Sequence, residues 1–354
     1  MPPRRKKRID PALFELPAEQ IKAGFFSDVS LNRSRDALRA SGRKARVTWQ
    51  VSAKRDGWLG GIDEAVAVLK VGSEDFAALD VHALYEGDRV EPWDTVLLVE
   101  GDYDNFAHLE TLVLGTLARR TRVCTNVRLL VDAARPKPIF FFGARSDHAL
   151  LQPGDGLSAH VGGAASVSTD AQGLLTGKKG VGTIPHALIA AYGGDTVSAA
   201  LAMTAILPAG VPLVVLVDYD NDSVATSVAV ARALDGRLWG VRLDTSEFMV
   251  DQSVIPQMGT FPSTGVNSAL VWNVRNALDA EGFGDVKIVA SGGFNVARVR
   301  QFEEDGVPVD AYGVGASILD GRWDFTADVV RLDGAVQAKR GRELRPNGRM
   351  EKVK

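Results

Sequence analysis

Cysteine is all but missing: the 354 residues hold one, Cys124. An intrachain disulfide and a cysteine-rich metal site are thereby excluded, and a reducing cytoplasm is the expected compartment. An excess of one charge is missing too. With 41 Lys+Arg against 44 Asp+Glu the formal net charge is −3, which gives no global reason to bind nucleic acid or an anionic membrane. No apolar run follows the basic start Arg4-Arg5-Lys6-Lys7-Arg8, so it does not read as a secretory signal; residues 1–10 are expected to form a disordered basic tail. Nor is there an unbroken membrane-length run. Residues 196–217 carry no charge, but Pro208, Gly210 and Pro212 interrupt them, and the stretch reads as a buried helix, a turn and a buried strand.

What is present is ordinary for a globular protein: 45% hydrophobic and 24% charged residues, and enough chain for about two domains at ~150 residues each. Residues 11–108 mix elements without a repeat. A helix is expected over 19–29, an alternating strand over 44–53, a helix over 62–70, and strands over 81–86 and 95–100, with turn residues between. That mixture suggests an α+β sandwich. A long amphipathic helix follows over 105–132, closed by Arg135-Pro136-Lys137-Pro138.

From there to residue 325 the rhythm changes. Short apolar runs at 138–142, 158–161, 180–183, 213–218, 238–244, 286–291 and 309–314 recur, with helical segments at 223–234, 266–280 and 296–304 between the later ones. Continuous apolar strands alternating with helices imply a parallel sheet covered by helices. The expectation is an irregular seven-stranded α/β barrel, with an open doubly wound sheet as the alternative. Residues 326–354, with strand-like runs at 329–332 and 334–338, are expected to return to the sandwich.

In such barrels chemistry gathers at the C-terminal strand ends. Those ends carry Arg145, His160, Thr183, His186, Asp218, Asp220, Arg242, Asp244, Ser291-Gly292-Gly293 and Gly313-Val314-Gly315-Ala316-Ser317. Thr183 is a candidate N-cap, Pro185 suits the first helical turn, and Gly193-Gly194 ends the helix, which puts His186 at a helix start that favours an anion. Two glycine loops on the last two strands suit a phosphate. Asp218 and Asp244 end buried strands, so each must be paired, cap a helix, bind ribose hydroxyls or face a metal such as Mg²⁺. Arg145 and Arg242 can grip a carboxylate or pair with a nearby Asp. The run from Gly173 to Lys178-Lys179 is one residue too short for a nucleotide P-loop and lacks the Ser/Thr.

Taken in order, Gly182-Thr183-Ile184-Pro185-His186-Ala187-Leu188, Arg242-Leu243-Asp244-Thr245, Ser291-Gly292-Gly293 and Gly313-Val314-Gly315-Ala316-Ser317 resemble the nicotinate phosphoribosyltransferase family. Ser27-Asp28-Val29, Leu109-Glu110-Thr111, Phe142-Gly143-Ala144-Arg145 with His148, Val161-Gly162-Gly163-Ala164 and Ala338-Lys339-Arg340-Gly341 add to the likeness. The resemblance implies a type II phosphoribosyltransferase fold. It implies transfer of phosphoribosyl from phosphoribosyl pyrophosphate to nicotinate, with Mg²⁺, and with ATP hydrolysis coupled through a phosphohistidine at His186. It also implies a homodimer or larger assembly in which one subunit's sandwich covers a neighbour's barrel. His186, Asp218 and Asp244 would be catalytic, the two carboxylates also facing Mg²⁺. Arg145, Thr183 and Arg242 would bind nicotinate, and Ser291, Gly292, Gly293, Gly313, Gly315, Ala316 and Ser317 the phosphoribosyl group. Ser30, Ser146, Asn295 and Ala316 depart from the usual pattern. Two alternatives stand beside it: a quinolinate-type transferase without ATP coupling, and a non-catalytic phosphosugar-binding protein.

Overall fold

A computed structural model describes residues 7–208 and 210–353, which divide into two compact units. The first runs to Asn126 and adds Leu157–Gly162 and the stretch from Asp320; the second holds Val127–Gly156 and Gly163–Leu319.

The first unit is built on an antiparallel sheet. Its strands are β1 (Arg46–Ala53), β3 (Asp80–Ala83), β5 (Thr95–Asp102), β12 (Phe325–Leu332), β13 (Ala335–Val336) and β14 (Glu351–Lys352), in the order β13-β12-β1-β5-β3-β14. A separate ribbon pairs β2 (Gly57–Trp58) with β4 (Arg89–Val90). Alternation in β1 decides the layers. Val47, Trp49 and Val51 enter a core with Ile62, Leu69, Val113 and Leu117. Thr48, Gln50 and Ser52 face the other way and are buried all the same. The chain from Glu343 to Asn347 covers them: Gln50 Oε1 accepts from the Arg345 amide at 2.8 Å, and Asn347 Nδ2 donates to the Thr95 carbonyl at 3.0 Å. The C-terminal segment pairs into this sheet, β12 against β1 and β14 against β3.

The second unit holds a curled parallel sheet. Its strands are β6 (Ile139–Phe141), β7 (Ser166–Val167), β8 (Leu213–Leu216), β9 (Leu238–Leu243), β10 (Lys287–Ala290) and β11 (Ala311–Val314), in the order β7-β6-β11-β10-β9-β8. Between the two edges runs residues 180–184. The Val181 amide donates to Val167 at 2.8 Å and the Ile184 amide to Val214 at 3.1 Å, and Ile184 forms a single bridge with Val215. The segment bridges the two edges without being a regular strand: Gly180 and Gly182 carry no side chain to pack, and Pro185, next along, has no N–H to donate. Fold class is as the sequence suggests: an α/β unit with an irregular barrel-like sheet, plus an antiparallel α+β unit.

Several local expectations need correction. Residues 158–161 are not a strand but part of the helix Gln152–Gly162, so His160 is not at a strand end; a short apolar run cannot by itself be told from a buried helical turn. The helix expected over 19–29 is only Ala18–Lys22, and a second helix, Val29–Ala40, follows it. The latter has no buried residue, and its few apolar side chains, Val29, Leu31 and Leu38, are outnumbered by polar and charged ones. The helix Thr196–Ile206 is not buried all round, since Leu201 and Ile206 are exposed. Ala209, in the turn expected after it, lies outside the described residues. So do residues 1–6 of the basic start, but the chain is already held at Arg8. Its Nη1 donates to Asp63 at 2.8 Å, its Nη2 to the Ala83 carbonyl at 2.9 Å, and its guanidinium lies 4.4 Å from the Tyr85 ring centre. Among the described residues no helix is long and apolar enough to cross a membrane.

Candidate active site

Parallel strands end on one rim, so the residues just past β8, β9, β10 and β11 are brought together whatever their separation in sequence. His186 begins the helix His186–Ala191, and Pro185, not Thr183, is its N-cap, with no side-chain cap bond. Pro185 therefore precedes the first turn. Thr183 turns its hydroxyl elsewhere, accepting from Arg242 Nη1 at 3.3 Å. Asp218, two residues beyond β8, meets His186 across 32 positions: Nε2 and Oδ1 are 2.9 Å apart. The pair is unequal. The imidazole is 45% exposed and the carboxylate 6%. Burial pushes the Asp218 carboxyl above the usual range, the bond to His186 pulls it back, and the Asp244 charge adds to the rise. Asp218 is not a helix cap; that role falls to Asp222.

Arg242 and Asp244 lie at the end of β9. Arg242 Nη2 pairs with Asp244 Oδ2 at 3.0 Å, and its Nε donates to Ser291 Oγ at 2.7 Å. Ser291, buried at the end of β10, donates to Asp244 Oδ1 at 2.7 Å. The guanidinium lies 4.8 Å from the centre of the Phe142 ring. Arg242 is thus locked in its plane by Thr183, Asp244, Ser291 and Phe142. Three of its five N–H donors are engaged, which leaves two for a planar anion.

The glycines divide by role. Gly292 and Gly293 are left-handed, φ +81° and +73°, a conformation that suits a backbone turned toward an anion. Gly313 is buried inside β11, and a Cβ there would meet the Phe142 ring at 2.5 Å, so its smallness makes room for Phe142. Gly315 and Ala316 open the turn Ala316–Leu319, while the Ser317 hydroxyl is spent on the Phe294 carbonyl at 2.8 Å. Arg145 stands apart. It is exposed at the end of the turn Gly143–Arg145, and no hydrogen bond or ion pair ties it to the Arg242 network among the described residues.

Sequence reasoning missed Tyr219, whose ring centre is 6.2 Å from that of His186, and Arg298, behind the Gly292 turn. Neither lies in a motif; only the loop geometry brings them in. Among the described residues no group of three or more His, Cys, Asp or Glu is placed to hold a metal ion. Asp218 and Asp244 remain as a two-carboxylate set, close enough that one charge disfavours the other.

The chain is similar to both nicotinate and quinolinate phosphoribosyl transferases. Residues 32–121 match the family described as quinolinate phosphoribosyl transferase, N-terminal domain. Nicotinate phosphoribosyltransferase pncB1 of Mycobacterium tuberculosis is 31% identical over 291 residues, 78% of this chain and 59% of that protein. The chain thus spans about three fifths of that relative's length. A crystal structure of nicotinate-nucleotide pyrophosphorylase from Pyrococcus furiosus superposes with a TM-score of 0.80 at 31% identity, covering 95% of this chain and 84% of that one. Human nicotinic acid phosphoribosyltransferase shares the fold, with a TM-score of 0.66 at 17% identity over 88% of this chain and 76% of that one.

Proposed function

This chain belongs to the nicotinate phosphoribosyltransferase family, within the type II phosphoribosyltransferases, and we propose that it makes nicotinate mononucleotide and pyrophosphate from nicotinate and phosphoribosyl pyrophosphate, in NAD biosynthesis. ATP hydrolysis is coupled to the transfer through His186. The observation that carries this reading is the shared rim: a histidine oriented by a buried carboxylate, a locked guanidinium and a left-handed glycine pair, all at the ends of one parallel sheet.

Each group has a role. Asp218 accepts from Nε2–H, which fixes the tautomer and leaves the lone pair on Nδ1 as the phosphoryl acceptor. The γ-phosphoryl bond of ATP breaks, ADP leaves with the electron pair, and a phosphorus–nitrogen bond forms at Nδ1; water later breaks that bond, the electron pair returns to Nδ1 and phosphate leaves, so the net reaction is ATP hydrolysis. In the glycosyl step the pyridine nitrogen forms a bond to ribose C1 as the C1–oxygen bond breaks, and pyrophosphate takes the electrons. No general base is needed, because the pyridine nitrogen carries its own lone pair. Arg242 and Thr183 hold the nicotinate carboxylate, and Arg145 lines the approach. Asp244 and Asp218 hold the ribose hydroxyls, and the turn Ser291-Gly292-Gly293 with Gly315, Ala316 and Ser317 binds the 5-phosphate, Gly313 shaping the floor. Mg²⁺ fits the two carboxylates, since it takes one or two of them and completes its shell with phosphate oxygens. When bound it offsets the charge of the leaving pyrophosphate. A homodimer, with the antiparallel unit of one subunit covering the parallel-sheet unit of its neighbour, belongs to the same reading.

A second reading has its own support, since residues 32–121 match a quinolinate phosphoribosyl transferase domain: transfer to quinolinate with loss of CO₂ and no phosphohistidine. Pyrophosphate release measured with nicotinate, nicotinamide and quinolinate, with and without ATP, separates the two. We expect release with nicotinate, stimulated by ATP, and label from γ-labelled ATP on His186. CO₂ from quinolinate together with no label on His186 would falsify the first reading.

A further inference from the structure

Arg298 has no part in the chemistry above, yet it lies half-buried behind the turn that the proposed function assigns to the 5-phosphate. It sits in the first turn of the helix Val296–Glu304, whose N-cap Asn295 accepts from the Arg298 amide. Its side chain folds back past the helix start. Nη1 donates to the Gly292 carbonyl at 2.8 Å, Nη2 donates to the Val266 carbonyl, and the guanidinium lies 4.5 Å from the centre of the Phe294 ring. Burial lowers its pKa from the usual guanidinium value, against the pull of Glu247. A desolvated cation is costly unless a buried acceptor or a ligand charge compensates it.

The geometry of the turn shows what this cation does. Gly292 and Gly293 are both left-handed, and the position of a Gly293 Cβ lies 3.5 Å from Arg298 Nη1. A peptide unit is planar and trans, so the carbonyl of Gly292 and the N–H of Gly293 point in opposite directions. With the carbonyl tied to Arg298, the N–H is turned away from it, and that N–H has no hydrogen-bond partner among the described residues. The second bond, to Val266, anchors the same guanidinium to the residue before Asn267, the cap of the helix Ser268–Ala280.

We infer that Arg298 is the positioning residue of the phosphate turn. It holds the Gly292 carbonyl back so that the Gly293 amide faces a phosphate monoester, and it sets a fixed positive charge behind that amide. The inference rests on the reading of this turn as the 5-phosphate site. A phosphate ligand then serves as the counter-charge that the fold itself supplies only in part.

The test is calorimetric titration of ribose 5-phosphate into wild type, Arg298→Met and Arg298→Lys, beside the KM values for phosphoribosyl pyrophosphate and nicotinate. Arg298→Met should weaken ribose 5-phosphate on the order of 10-fold, the size of one lost charge-assisted hydrogen bond. The KM for phosphoribosyl pyrophosphate should rise with it, while the KM for nicotinate moves far less. Arg298→Lys keeps the charge but not the fork, and should recover part of the loss. If wild type takes up neither ribose 5-phosphate nor phosphoribosyl pyrophosphate, the phosphate reading of the turn is what fails. If wild type binds and both variants bind equally well, Arg298 has no positioning role. Should Arg298→Met not fold, Arg298→Lys at an unchanged melting temperature decides: equal losses for ribose 5-phosphate and nicotinate in it would mean a merely structural part and overturn the inference.

Discussion

At the scale of single residues, a side chain here is defined by what holds it. His186 alone is one more imidazole at a helix start; Asp218 holds its Nε2 at 2.9 Å, and in the proposed function that contact fixes the tautomer. Replacing Asp218 by Asn keeps the shape but removes the charge, and an amide can hold either tautomer. We expect label transfer from ATP to fall on the order of 10²-fold, as for other partners that orient a histidine, and the KM for phosphoribosyl pyrophosphate to rise as well, since the proposed function also places Asp218 on the ribose; quantifying phosphohistidine in Asp218→Asn against wild type checks the first. Arg242 makes a complementary case. Lysine carries the same charge, but one ammonium cannot span Thr183, Asp244 and Ser291 while lying flat on Phe142. Arg242→Lys should raise the KM for nicotinate about tenfold or more, equivalent to ~1.4 kcal/mol, and steady-state kinetics at fixed phosphoribosyl pyrophosphate would show it. An unchanged KM would remove Arg242 from the nicotinate site.

At the scale of elements, close approach matters more than propensity. Gly313 lies in β11, where any β-branched residue would satisfy strand preference. The Phe142 ring occupies the space a side chain would need. Gly313→Ala must therefore push that ring, and Arg242 rests on it. The expected cost is about 1–3 kcal/mol for overpacking, seen as a lower melting temperature, together with a several-fold higher KM for nicotinate. A variant with wild-type stability and kinetics would show that the ring moves freely. The same scale explains the misread element at 158–161. Leu157 and Ala159 are buried there, which fits a strand or a helix equally, and the helix Gln152–Gly162 depends on Gly156, whose missing Cβ lets the backbone at Gln172 come within what would be 1.9 Å. Nothing in the local sequence announces that neighbour.

At the scale of the whole molecule, each unit has its own balance of forces. In the first, the helix Ile62–Gly72 starts without a side-chain cap, and a carboxylate from elsewhere takes its amides: Glu86 accepts from Gly61 and Asp63, each at 3.0 Å. Burial, with the neighbouring Asp63 charge, pushes Glu86 up to about 8 from 4.5, against those two amides. The folded state then keeps a proton that the unfolded chain releases, so this group's contribution to stability falls as pH rises from about 4.5 to about 8 and is level outside that window. Melting temperatures at intervals from pH 4 to 9 should decline across it in wild type, and Glu86→Gln, which cannot ionise, should flatten the slope despite a lower starting value. An unchanged slope would mean that Glu86 is ionised throughout. Much of the larger plan was legible in the chain itself. Alternation in β1, the apolar runs that became β6, β8, β9, β10 and β11, and the order of the glycine and histidine motifs depend on local periodicity, which every residue carries in its side chain. Neighbourhood was not legible. That Asp218 meets His186, that Gly313 yields to Phe142, and that Arg298 turns the Gly292 carbonyl inward follow from where curled strands end and loops cross. Contact across a fold is set by the path of the backbone, which no short stretch of sequence contains.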